Sequence, residues 1–88
     1  MNSDKEYQME NLQRIFHDAT FSPIFKRNPK YPDVKTARIN YSDIRNYECI
    51  IRNMKEWEDN SFWDDEEAEI VAKYQSIEML VDDGWRLD

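Results

Sequence analysis

Glycine is almost missing from this chain. Gly84 is the only one in 88 residues, where ordinary usage would supply about six. That scarcity excludes Gly-rich phosphate loops and argues against folds built from many tight β-turns. Cysteine is as scarce. Cys49 stands alone, so neither an internal disulfide nor a cysteine-based zinc set is available, and a reducing, cytoplasmic setting is expected. No apolar run approaches the roughly 18 residues of a membrane span. The opening stretch, Met1 to Glu6, does not read as a signal peptide. Catalytic signatures are lacking too: there is no P-loop, dinucleotide fingerprint or nucleophile elbow. His17 and Asp18 are neighbours, but adjacent residues on a helix point about 100° apart and do not make a dyad. Cys49 has no activating neighbour in sequence and reads as a small buried residue. Asp59 to Glu66 superficially suggests a calcium loop, yet it lacks the alternating ligands and central glycine of one. No enzyme, cofactor or metal is expected.

Aromatic residues are plentiful, with three Trp, five Tyr and four Phe. That is too many for a disordered chain and enough to build one core, so residues 1–88 read as a single domain. A chain of this length buries only about 60% of its unfolded surface, so the core is thin and a partner would add stability. The net charge is −7, unevenly spread. Residues 1–55 hold ten Lys/Arg against seven Asp/Glu, and residues 56–88 hold two against twelve. The second half should repel nucleic acid and attract basic surfaces. This asymmetry is also compatible with a homodimer.

Pattern and punctuation predict a mainly α fold, small α or α+β, with helices at about 4–18, 43–58 and 62–82. Ser3 and Glu6 form a capping box before Met9, Leu12, Ile15, Phe16 and Ala19 at helical spacing. Pro23, Pro29 and Pro32 exclude a helix over 20–41, which reads as an irregular segment or a short β-hairpin. In it, Phe21, Ile24 and Phe25 should anchor to the core, and Lys26, Arg27 and Lys30 form a basic cluster directed at an acidic patch. Residues 34–41 are β-prone, with residues 20–25 or a second subunit as pairing partner. Tyr47, Ile50, Met54 and Trp57 recur at helical spacing for the second helix, with Glu48, Arg52 and Glu56 as a solvated ladder on its far face. Trp63, Ile70, Tyr74, Ile77 and Val81 do so for the third. A short link at 59–61 makes these two an antiparallel hairpin, and Gly84 stands where a C-cap is expected.

The stretch from Glu56 to Glu69 carries the functional signal. Eight of its fourteen residues are acidic and none is basic. Asp64, Asp65, Glu66 and Glu67 suit the first turn of a helix. Glu56, Glu58 and Asp59, like Asp82 and Asp83, fall at a predicted helix C-terminus, where the dipole disfavours them. Carboxylates one helical turn apart approximate the phosphate spacing of a DNA strand. The expected partner is therefore a basic protein surface, that of a nucleic-acid-binding protein, with no direct contact to nucleic acid or membrane. The binding residues would be Glu56, Glu58, Asp59, Phe62, Asp64, Asp65, Glu66, Glu67 and Glu69, while Trp57 and Trp63 fall on the core stripes. In composition the chain is similar to small phage and mobile-element inhibitors of host enzymes, such as anti-restriction and anti-CRISPR DNA mimics. That resemblance implies a non-enzymatic inhibitor or regulator. The alternatives are an assembly adaptor with an aromatic surface, its acids serving solubility, or an antitoxin-like partner.

Overall fold

The computed structural model describes residues 2–20, 22–53 and 68–88. The chain is α+β. Helix α1 (Asn2–Asp18) is followed by strands β1 (Ile24–Phe25) and β2 (Ala37–Arg38), helix α2 (Tyr41–Arg45), strands β3 (Cys49–Asn53) and β4 (Glu69–Tyr74), and helix α3 (Ile77–Asp82). The four strands form one antiparallel sheet in the order β1-β2-β3-β4. Beyond β1 the chain end supplies further pairing. Leu87 bridges Phe25, the Lys26 amide donates to the Arg86 carbonyl at 2.8 Å, and the Asp88 amide donates to that of Ile24 at 3.0 Å. That pairing covers an edge that would otherwise expose unpaired backbone groups.

The first helix follows its pattern. Leu12, Ile15 and Phe16 are buried and Met9 packs beside them, as a 3.6-residue period requires. Ser3 lies inside α1 rather than at its cap, because the helix begins at Asn2. After Asp18 the backbone turns left-handed at Ala19 (φ 49°), whose amide returns to the Ile15 carbonyl at 2.9 Å. A glycine ordinarily takes that position.

The mainly helical reading fails in the second half. The helix expected over 43–58 stops at Arg45. Tyr47 reverses the chain at φ 57°, and residues 49–53 form β3. Burial explains the misreading. Cys49 and Ile51 face the core cluster, whereas Ile50 and Arg52 are buried on the opposite side of the sheet. A strand buried on both faces loses its two-residue alternation, and a short apolar run then matches a helical stripe equally well. The helix expected over 62–82 is also overturned in its described part. Glu69–Tyr74 is a strand, and Ser76 caps a separate six-residue α3 by accepting from the Met79 amide at 3.2 Å. The predicted helical hairpin is a β-hairpin, with Cys49 opposite Tyr74 and Asn53 opposite Glu69. Its register shifts between Ile51 and Arg52, leaving Val71 as the extra residue of a bulge.

Trp85 sits at the centre of the core, fully buried. Its ring meets Phe25 edge-on at 6.0 Å and stacks on Tyr31 at 5.1 Å. Leu12, Ile39, Ile44, Ile51, Leu80 and Val81 complete the centre. Each contributes about 1.5–3 kcal/mol by leaving water. Among the described residues no helix is long and apolar enough to cross a membrane.

Candidate functional site

Of the nine residues expected to bind a partner, Glu56, Glu58, Asp59, Phe62, Asp64, Asp65, Glu66 and Glu67 lie outside the described residues. So do Trp57 and Trp63. Glu69 is described: it opens β4, exposed to solvent and opposite Asn53. The chain therefore leaves the sheet at Asn53 and re-enters it at Glu69. Phe25, Ala37, Asn53 and Glu69 form one row across the four strands. The proline-containing loop, residues 26–36, leaves the sheet from that same row. Asn53 and Glu69, which flank the acidic connection in sequence, thus stand at the same end of the sheet as Phe25 and Ala37, which flank the basic loop.

The charge balance sharpens with this topology. Residues 54–67 contain seven acidic residues and one basic, a net −6. The rest of the chain contains twelve acidic and eleven basic residues, a net −1. Almost the whole net charge thus belongs to the β3–β4 connection.

The other acids singled out have local partners. Asp82 is 2.8 Å from Lys5, which also reaches Glu78 at 3.2 Å. Asp83 caps α3 and gathers a cluster from three parts of the chain. Tyr31 donates its hydroxyl to the Asp83 carboxylate at 2.6 Å, Tyr74 donates to the same oxygen, and Lys30 contacts the other at 3.0 Å. Trp85 Nε1 donates to the Tyr74 hydroxyl at 2.8 Å. Asn28 Nδ2 donates to the Asp83 carbonyl at 3.0 Å. Gly84 follows at φ 98°, and a Cβ there would come within 3.1 Å of the Asn28 side chain. The lone glycine is thus fixed by a left-handed turn and a close approach at once. The basic loop does contact an acid, and that acid belongs to its own chain.

The electrostatics of this cluster are those of a clamp. Hydrogen bonds from Tyr31 and Tyr74, then the Lys30 charge, lower the Asp83 carboxyl to about 2. Burial and the bond to Asp83 push the Tyr74 hydroxyl up. At neutral pH the carboxylate is charged and the phenol is protonated, so neither is poised to move a proton. Cys49 is buried, and desolvation pushes its thiol up, away from the thiolate a nucleophile needs.

A second cluster was missed because it crosses the sheet. The spacing of Glu48, Arg52 and Glu56 predicts a solvated ladder. The Arg52 Nε instead lies 3.0 Å from Asp43, both side chains being buried, and its Nη1 donates to the Ala68 carbonyl at 3.0 Å. Arg52 thereby ties the point where the acidic connection returns to β3. Arg38 is its cross-strand neighbour, with Nε donating to Ser22 Oγ at 3.1 Å. Burial lowers the Arg38 guanidinium from its ordinary value. The only hint in the sequence is an arginine inside the apolar run of residues 49–53. No grouping of three or more His, Cys, Asp or Glu able to hold a metal occurs among the described residues.

Fold and clusters define a small α+β domain, a four-stranded antiparallel sheet backed by helices, with its charge in one inter-strand connection. Comparison with protein-family models, curated proteins and solved structures finds no match.

Proposed function

We propose that this is a non-enzymatic acidic binding protein, an inhibitor or regulator of the DNA-mimic kind, acting in the cytoplasm. Its partner is the basic surface of a nucleic-acid-handling protein, engaged through Glu56, Glu58, Asp59, Phe62, Asp64, Asp65, Glu66, Glu67 and Glu69. One observation carries the reading: a net −6 is concentrated in a connection whose two ends are held by a paired, bulged β-hairpin and by the Arg52 bond to Ala68. A near-neutral body with one strongly negative segment suits recognition of a cationic groove, with the steep salt dependence such grooves show. Helix dipoles lend no support, since α2 ends at Arg45 and Asp82 and Asp83 have cationic partners.

The test begins with the partner recovered from the native host. Its affinity should fall steeply between low and physiological salt, and double-stranded DNA should compete. Reversing Asp64, Asp65, Glu66 and Glu67 to lysine should abolish binding while the circular dichroism spectrum stays unchanged. A complex indifferent to salt and DNA sinks the proposal. It would favour the adaptor reading, which one observation supports: Tyr47 is 70% exposed in a left-handed turn where glycine would be less strained.

A further inference from the structure

We draw no further inference here: the strongest candidate, the groove of about 710 Å³ between α1 and the β1 edge, is rimmed by two cations, Arg14 and Lys26, and two carboxylates, Asp18 and Asp88, and nothing in the structure shows what occupies it.

Discussion

Replacing Asp83 with asparagine removes one negative charge and keeps the shape of the side chain. In the native protein that charge accepts from Tyr31 and Tyr74 and faces Lys30. The carboxyl is lowered from an ordinary 3.8 to about 2, a difference worth roughly 2.5 kcal/mol. The side chain keeps 26% of its exposure, and solvent screening reduces the expected contribution to about 1–2 kcal/mol. The sign follows from linkage. A carboxyl lowered by folding stabilises the protein above its unfolded value, and that contribution is lost as pH falls from about 4 through 2. Urea denaturation at pH 7 should therefore find Asp83→Asn less stable by about 1–2 kcal/mol, a melting temperature roughly 5–15 °C lower. The gap between wild type and variant should close as pH is lowered towards 2. Other carboxylates titrate in that range, but they do so in both proteins and cancel in the difference. A variant as stable as wild type at pH 7, or a gap that does not narrow in acid, would refute the reasoning.

Gly84→Ala should lose about 1–2 kcal/mol by chemical denaturation, because φ 98° strains any L-residue and the new methyl meets Asn28. Tyr47→Gly should gain about 0.5–1 kcal/mol and raise the melting temperature, since Tyr47 occupies a left-handed turn with its side chain in solvent. Asp43→Ala leaves Arg52 without its buried carboxylate and should lose about 3 kcal/mol in urea titrations. Adding Arg52→Met to Asp43→Ala should recover part of that loss, because no uncompensated charge then remains buried.

The parts of the fold legible in the sequence were those set by local chemistry. The α1 stripe of Leu12, Ile15 and Phe16 needs only a helical period. The pairing of Ile24–Phe25 with Ala37–Arg38 is one of the alternatives that the sequence leaves open, beside an irregular segment and pairing with a second subunit. What local chemistry could not supply was the second half. Ile44, Tyr47, Ile50 and Met54 keep a helical spacing, yet Ile44 joins the core from α2, Tyr47 is exposed in a turn and Ile50 is buried on the far face of β3. The same few residues satisfied two templates, and long-range pairing with β4 selected the strand. The Asp83 cluster was illegible for a related reason. It joins Lys30 and Tyr31 to residues more than forty positions away, a separation no periodicity reports.

Those long separations also change what the charge asymmetry means. Divided by position in the chain, the second part looks like a pole of −10 beside a weakly positive first part. Folding undoes much of that division. Lys5 from α1 meets Glu78 and Asp82 of α3, Lys30 from the proline loop meets Asp83, and Arg86 near the chain end reaches back to Asp4 at 2.7 Å. These exposed pairs are screened by solvent and do little for stability. Their consequence is electrostatic. Lys5 and Lys30, cations of the first part, offset acids around α3, and by sequence the largest remaining excess of formal charge, −6, falls in residues 54–67. A cationic partner would be attracted to that segment and not to the α3 end of the molecule. Binding through the β3–β4 connection and association driven by net charge alone therefore separate on one comparison: reversing Glu78 and Asp82 to lysine should leave partner affinity within about twofold, whereas reversing Asp64 to Glu67 should abolish it. Equal losses from both sets would mean that net charge alone drives association, and the assignment of binding to the β3–β4 connection would fall.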